Sequence, residues 1–412
     1  MKILVLSSLA YSLTNFRGAL LRAMRSNGHE VIAVAPDDNE DVRAELEASG
    51  ISFRVVPMQR AGTNPFHDTA LLYRYLMLIA RERPDLVLAY TQKPIIYGGL
   101  AARFMCVPRY FALMSGLGHV FSPGNDTNRL FRSFVGRMYR EAVRRARAIF
   151  VFNSDDRKDM LELGIISAEQ PVIQVPGSGV DLERFTAQPL PRQQISFLLV
   201  ARLMRDKGIY EFLEAAKRIS IDHPECSFQV LGHFDTENPT GLTREECERL
   251  SRHYPVRFIP GTSDVRPYLG AASVFVLPSC YREGLPRTIL EAMATGRAVI
   301  TTDMPGCRDP IEENGNGFLV PPRNADALAA AMARFVDDPS LIVRMGSRSR
   351  ELAERVYDVR LVNRFLLNEM ELIAPETYKG QGAGDYSMED MKAAPAQADG
   401  ESTAADRVRA TG

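Results

Sequence analysis

The sequence predicts two doubly wound α/β domains, each a parallel sheet with helices on both faces. Three observations lead there. Short β-branched runs alternate with helix-period segments almost throughout. The alternation stops over the Pro- and Gln-containing stretch 188–194 and then begins afresh. A chain of 412 residues also exceeds what one core ordinarily organises, so two domains of about 150–200 residues are expected.

The elements follow in order. Lys2-Ile3-Leu4-Val5-Leu6 is too short and too quickly polar for a secretory leader and reads as a first strand. Further strands are expected from Val31 to Ala35, Phe53 to Val56, Leu86 to Tyr90, Tyr110 to Leu113, Ile149 to Phe152 and Val172 to Val175. Helical stretches from Phe16 to Asn27, Asp68 to Arg81 and Arg129 to Arg147 lie between them. Past the linker the strands run from Phe197 to Val200, Phe228 to Leu231, Arg257 to Ile259, Val274 to Leu277, Val299 to Thr301 and Phe318 to Val320. A helix from Leu341 to Arg355 follows, then a last apolar stripe at Val362, Phe365, Leu366 and Met370. The domains are thus 1–187 and 195–355, joined by 188–194, with a terminal helix in 356–374. From Pro375 onward bulky apolar groups are almost absent, and the tail 375–412 is expected to be disordered.

With 45% hydrophobic and 25% charged residues the composition is that of a soluble globular protein. Five cysteines without a C-x-x-C pair imply reduced thiols and a cytoplasmic location. No apolar run approaches the ~18 residues of a membrane span. The net charge of −1 conceals an asymmetry: residues 1–150 hold 20 Lys and Arg against 12 Asp and Glu, a surplus of eight that leaves −9 for the remainder. One half therefore suits an anionic partner. Its basic residues are not interleaved with stacking aromatics on strands, which argues against nucleic acid and toward a phospholipid surface or a diphosphate-linked lipid. Arg129, Arg132, Arg137, Arg140, Arg144 and Arg147 recur at helical spacing among Leu130, Phe131, Phe134, Val135, Met138 and Tyr139. Such a helix can rest peripherally on the cytoplasmic face of an anionic membrane; a packed helix with solvated arginines is the plainer alternative.

The most informative segment runs from Cys280 to Gly296. It sets Glu283 in a loop and Glu291 on a helix, after the apolar run Val274 to Leu277. Pro286 can take the first helical position and Gly296 can close the helix about three turns later. Both carboxylates then face one pocket, into which the free N–H groups of the first turn open. Such a helix end binds anions, phosphate above all. Carboxylates beside a phosphate site suit hydroxyl groups, and the combination asks for a sugar nucleotide.

This segment resembles the E-x7-E signature of retaining glycosyltransferases of the GT-B fold, family 4. More of that pattern follows in register: Ala298-Val299-Ile300-Thr301-Thr302, Pro305-Gly306, Asn314-Gly315-Asn316-Gly317 and Phe318-Leu319-Val320. Upstream, Val200-Ala201-Arg202-Leu203 with Asp206-Lys207-Gly208 resembles the family's diphosphate-binding turn, and Gly179-Val180-Asp181 its interdomain segment. The resemblance covers roughly residues 1 to 370. It implies two Rossmann-like domains facing a central cleft, with the terminal helix crossing back onto the N-terminal domain. It also implies a UDP-sugar as donor, and a saccharide acceptor that is soluble or carried on a polyprenyl diphosphate. Glu291 would hold the ribose and Glu283 the transferred sugar, with Gly284, Leu285 and Thr288 at the diphosphate and Gly261 and Asp264 near the base.

Breaking a sugar–diphosphate bond leaves two negative charges on the departing group. The chain has no Asp-x-Asp pair and no histidine cluster of metal-ligand spacing, so neither a metal nor any cofactor besides the donor substrate is expected. Arg202 and Lys207 would carry the positive charge, each such donor contributing roughly 3–4 kcal/mol; alone, they would read as a solvated pair near a turn. In the N-terminal half many relatives place a Gly-Gly pair after the first strand, where this chain has Ser7-Ser8 and then Asn15-Phe16-Arg17-Gly18. Asn15 and Arg17 are candidates for acceptor or donor contact, or for a helix cap and a surface charge. Lys93, after the strand ending at Tyr90, suits an acceptor phosphate. Ser115-Gly116-Leu117-Gly118-His119 resembles a loop of relatives acting on polyprenyl-linked saccharides, with His119 in place of the usual aromatic. His119 is either a catalytic contact to the donor sugar or a hydrogen-bonded loop histidine.

Three other readings compete. A glycosidase pair, with carboxyl groups ~5 Å or ~6.5–9.5 Å apart, leaves the diphosphate loop without a purpose. A sugar-nucleotide epimerase or hydrolase would release nucleotide without an acceptor, and a non-catalytic subunit would bind without turnover.

Overall fold

The computed structural model describes residues 1–59, 65–116, 129–191, 194–235, 238 and 240–373, apart from the side chains of 129–131. The tail from Pro375 and His119 lie outside the described residues. In the first domain the strands are β1 (Lys2–Leu6), β2 (Glu30–Ala35), β3 (Ser52–Val55), β4 (Leu86–Tyr90), β5 (Arg109–Met114), β6 (Ala148–Val151) and β7 (Val172–Gln174). Between them run α1 (Ala10–Asn15), α2 (Gly18–Ser26), α3 (Glu40–Ala48), α4 (Pro65–Glu82), α5 (Gly99–Phe104), α6 (Arg129–Val143) and α7 (Ser154–Glu162). The second domain holds β8 (Ser196–Val200), α8 (Ile209–Asp222), β9 (Ser227–Gly232), α9 (Arg244–His253), β10 (Val256–Pro260), α10 (Arg266–Ala271) and β11 (Val274–Leu277). It continues through α11 (Arg287–Ala294), β12 (Ala298–Thr302), β13 (Gly317–Val320), α12 (Ala325–Asp337) and α13 (Ser340–Arg355), and α14 (Val359–Glu369) follows.

Every strand expected from the sequence forms, and all pair in parallel. The seven-stranded sheet has the order β3-β2-β1-β4-β5-β6-β7, the six-stranded one β10-β9-β8-β11-β12-β13. The strands are apolar runs rather than alternating ones because helices cover both faces. Their side chains divide by parity: Ile3 and Val5 enter one core, Leu4 and Leu6 the other. Phe197 and Leu199 divide from Leu198 and Val200 in the same way. The terminal helix crosses back as expected. Val362, Phe365 and Leu366 of α14 and Met370 just beyond it are buried in the first domain's core with Ile3, Val5 and Leu20, Leu21 and Met24 of α2. Where the chain passes between domains, the Val180 N–H donates to the Tyr357 carbonyl at 2.7 Å, and the Val359 N–H to the Val180 carbonyl at 3.0 Å.

Three helices differ from expectation. The helix expected from Phe16 to Asn27 forms as α2, and a short helix that was not expected, α1, precedes it, its first residue Ala10 donating its N–H to the Asp37 carboxylate at 2.9 Å. Arg17, with φ −122° and ψ −5°, then breaks the helical run before α2. A π-helical turn, Pro94–Gly98, leads into α5. Third, α6 stops at Val143, four residues before the expected end, where the chain turns into β6. Its apolar side packs inward through Val135, Met138 and Tyr139, while Phe134 stays 59% exposed. None of the described helices is long and apolar enough to cross a membrane.

Candidate active site

Each sheet reverses its strand order once, between β1 and β4 in the first and between β8 and β11 in the second. Open parallel sheets bind ligands in the crevice beyond the strand ends at such points. The loop after β8 carries Arg202 and Lys207, and the loop after β11 carries Glu283.

These two loops are locked together. After β8 a single 3₁₀ turn, Arg205–Lys207, ends at Gly208 in the left-handed region, φ 74°. A Cβ there would stand 2.0 Å from the Pro278 carbonyl oxygen, so the approach requires glycine on both counts. The Asp206 carbonyl accepts from the Cys280 N–H at 2.9 Å and from the Ser279 hydroxyl at 3.3 Å. Lys207 is thereby set in an ion pair with Glu283, their side chains 10% and 14% exposed. Ser279 Oγ also donates to Glu283, at 3.1 Å. Tyr281 lies with its ring centroid 5.5 Å from the ammonium. Burial and then the Glu283 charge push its hydroxyl pKa up, with Arg202 acting against them. Arg202 itself is half exposed and pairs with Asp235 at 2.6 Å.

The helix α11 begins one residue later than expected: Pro286, with ψ 116°, is its extended N-cap, and Arg287 is the first helical residue. Gly296 closes it as expected, at φ 80°. Ahead of it, the N–H groups of Gly284 and Leu285 make no hydrogen bond to a described residue. Thr288 is half-buried in the first turn. Glu291 is 12% exposed, with Arg287 Nε at 3.1 Å. Burial raises its carboxyl pKa, opposed by the charges of Arg287 and Arg184. The charge of Arg184 also reaches Asp264. Asp264 is held chiefly by Arg266, at 2.7 and 2.8 Å, which brings its carboxyl down to about 2. Gly261 packs against the His233 ring where a Cβ would stand.

The N-terminal domain meets this arrangement at three places. Ser115 and Gly116 lie on Gly284, where a Cβ would come within 2.5 Å of the Ser115 carbonyl oxygen. Leu285 packs into cores of both domains. Arg287 donates to the Asn15 carbonyl. Arg17 is 3% exposed and lies between the rings of Tyr90 and Phe152. Lys93 does not offer a free charge: Asp68 holds its ammonium at 2.7 Å, with both side chains about 15% exposed.

Several residues at the site were not legible as candidates. Asn153 is fully buried; its Oδ1 accepts from the Asp156 N–H at 2.8 Å, capping α7, while its amide donates to the Gly284 carbonyl at 2.8 Å. Its place at a strand end ahead of Ser154-Asp155-Asp156 was the available signal. Arg287, Tyr281 and Arg184 escaped as well, although the Arg287–Glu291 spacing is that of a helical ion pair. The assembled set can do three things: neutralise a diphosphate with fixed cations and N–H groups, accept hydroxyl hydrogen bonds at two carboxylates, and close a second domain over both.

Residues 15–176 match the model of the glycosyl transferase 4-like domain, and residues 182–352 that of glycosyl transferases group 1. The N,N'-diacetylbacillosaminyl-diphospho-undecaprenol alpha-1,3-N-acetylgalactosaminyltransferase of Campylobacter jejuni is 25% identical, over 89% of this chain and 97% of its own. The UDP-Gal:alpha-D-GlcNAc-diphosphoundecaprenol alpha-1,3-galactosyltransferase of Escherichia coli is 28% identical, over 66% of this chain and 72% of its own. Anabaena HepE, solved in complex with UDP, shares the fold with a TM-score of 0.70 at 19% identity, covering 90% of this chain and 100% of that one. Sucrose-phosphate synthase from Thermosynechococcus elongatus does so with a TM-score of 0.71 at 19% identity, covering 89% and 98%.

Proposed function

Because the chain belongs to the GT-B glycosyltransferases, we propose that it is a retaining enzyme of polysaccharide or glycan biosynthesis. It moves a hexose or hexosamine from a UDP-sugar to a saccharide carried on a polyprenyl diphosphate. The observation that carries this reading is the Lys207–Glu283 pair at the β8/β11 switch point, roofed by Ser115 and Gly116 of the other domain. A cation and a sugar-sized acceptor of hydrogen bonds then stand side by side where the two domains meet. Names of relatives on diphospho-undecaprenol acceptors support the acceptor class, and the UDP complex of a structural neighbour supports the donor.

In this reading the leaving diphosphate gathers charge as the glycosidic bond breaks. Lys207 and the N–H groups of Gly284 and Leu285 meet that charge, and Arg202 joins them by exchanging Asp235 for phosphate. Glu283 accepts from hydroxyls of the transferred sugar, Glu291 from the ribose, and the segment around Gly261 and Asp264 borders the base. The departing oxygen takes the acceptor's proton on the same face, so no protein base is required for retention. Transfer is independent of divalent metal, because fixed side-chain cations do the neutralising. The arginine face of α6 with exposed Phe134 holds the enzyme peripherally on an anionic cytoplasmic membrane face.

The test is transfer of labelled sugar from a panel of nucleotide sugars to a lipid extract of the source cell, run in EDTA. A lipid-soluble product from one UDP-sugar is expected. Nucleotide release without a glycosylated lipid would overturn the acceptor assignment, and a strict need for added metal would overturn the role given to Arg202 and Lys207.

A further inference from the structure

The N-terminal side of the cleft holds a cation without a counter-ion among the described residues. Arg17 is 3% exposed, its Nε is buried without a hydrogen-bond partner, and no described carboxylate pairs with it. Its guanidinium carbon stands 5.4 Å from the Tyr90 ring centroid and 5.5 Å from that of Phe152. Ring faces offset part of the desolvation of a buried cation, but they do not satisfy its N–H donors. A guanidinium buried in this way is destabilising unless something anionic completes it.

Its position says what that anion meets. Tyr90 ends β4 and Ser7 follows β1, so Arg17 lies over the first sheet's switch point. A chain of hydroxyls closes the floor beneath it, Ser7 to Ser12 at 2.7 Å and Ser12 to Tyr90 at 2.9 Å. From the other domain Arg287, the first residue of α11, donates to the Asn15 carbonyl and lies 5.4 Å from the Phe16 ring centroid, on the residues that lead into Arg17, and its charge opposes that of Arg17. Burial is the largest influence, with Tyr90 opposing it and Arg287 adding to it; the Arg17 pKa comes down to about 10, which leaves it charged at neutral pH. Two like charges from two domains thus stand beside the same segment, at a helix end whose leading N–H groups meet no acceptor among the described residues.

We propose that Arg17 is the N-terminal domain's diphosphate anchor, its guanidinium gripping phosphate oxygens of a diphosphate ester that lies between it and Arg287. Binding the ester removes the repulsion between the two arginines and ties the domains together. The anion site stands on the geometry of Arg17 alone; naming the ester rests on the glycosyltransferase reading. That ester is either the donor's diphosphate or that of the lipid-linked acceptor, and experiment separates them.

Inorganic pyrophosphate is the first probe, because it needs neither sugar nor transfer. Pyrophosphate should raise the melting temperature of the full chain, and Arg17→Met should abolish most of that rise while melting no lower than the native protein. Arg17→Lys, which keeps the charge without the fork, should retain part of the rise, and it decides the matter if the methionine variant does not fold. The same rise in native protein and variants would overturn the anchor, as would the absence of any rise in the native protein. If the donor is the source, Arg17→Met weakens UDP by about tenfold or more and leaves uridine binding unchanged. If the acceptor is the source, UDP binding is unchanged and the KM for a diphosphate-linked acceptor rises instead. A pyrophosphate response lost with Arg17, in a protein that transfers no sugar, would keep the anchor and discard the glycosyltransferase reading.

Discussion

Replacing Lys207 by methionine keeps most of the stem's volume and removes the ammonium from Glu283. The carboxylate would retain the Ser279 hydroxyl, at 3.1 Å, and little solvent, since its side chain is 14% exposed. Opposite charges in contact at an effective dielectric of about 20 interact by roughly 4 kcal/mol, and stranding one member of a buried pair costs about 3–5 kcal/mol. The residual exposure and the Ser279 bond reduce this to about 2–3 kcal/mol. At roughly 2–4 °C per kcal/mol for a domain of this size, the melting temperature should fall by about 5–10 °C. The catalytic loss is separate. A donor aimed at developing charge contributes roughly 3–4 kcal/mol, which is about 10²–10³ in kcat. Adding Glu283→Gln to Lys207→Met removes the stranded charge, so stability should return while transfer does not. Thermal melts and labelled-sugar transfer at saturating donor read the two effects side by side. A Lys207→Met enzyme whose kcat stays within about threefold of native would refute the leaving-group role, and recovery of transfer along with stability in the double variant would show that the loss came from the stranded carboxylate and not from a missing cation.

Four further outcomes are expected. Glu291→Ala should weaken UDP by about tenfold or more in a calorimetric titration, through two lost hydrogen bonds of roughly 1 kcal/mol each; unchanged affinity would remove the ribose assignment. Gly208→Ala should destabilise by about 2 kcal/mol or more, because a backbone carbonyl blocks the Cβ and φ is positive; native-like melting would show that the two loops slide freely. Asp156 is buried and hydrogen-bonded to Asn153, and its carboxyl is pushed up to about 7, chiefly by burial, with Asp159 and Asp309 adding and Arg282 opposing. The folded state therefore keeps a proton that the unfolded chain releases near pH 4, and its stability falls as pH rises from there to 7. Asp156→Asn should match native melting near pH 4 and exceed it at pH 8 by on the order of 2–4 kcal/mol; equal melting at both would mean that Asp156 titrates as an ordinary carboxylate. Arg137→Glu with Arg140→Glu should weaken sedimentation with anionic vesicles, since each arginine near such a surface is worth roughly 1 kcal/mol; unaltered sedimentation would make the α6 arginines a solvated face.

The sheets were legible because a strand covered on both sides must be apolar along its whole length, as Leu86–Tyr90 and Val274–Leu277 are. The helix carrying Glu291 was legible for a related reason. Its proline and glycine are demanded by backbone conformation, and such demands are local enough to be written in adjacent residues. The short helix α1 was not legible, because it starts where Asp37, in the loop after β2, accepts the Ala10 N–H.

By itself the sequence determined the chain order and parallel direction of the strands, their division into two series, and the placing of Arg202, Lys207 and Glu283 in loops after strands and of Glu291 on a helix. Those features depend on residue type and short spacing. Only the tertiary structure decided which charges are already paired and which still await a partner. Lys93 is neutralised by Asp68, 25 positions away, and Arg202 by Asp235, 33 away, whereas Arg17 is buried with no described counter-ion. Electrostatic pairing depends on distances between side chains, and distances across a cleft are set by how two separately folded sheets come to face each other.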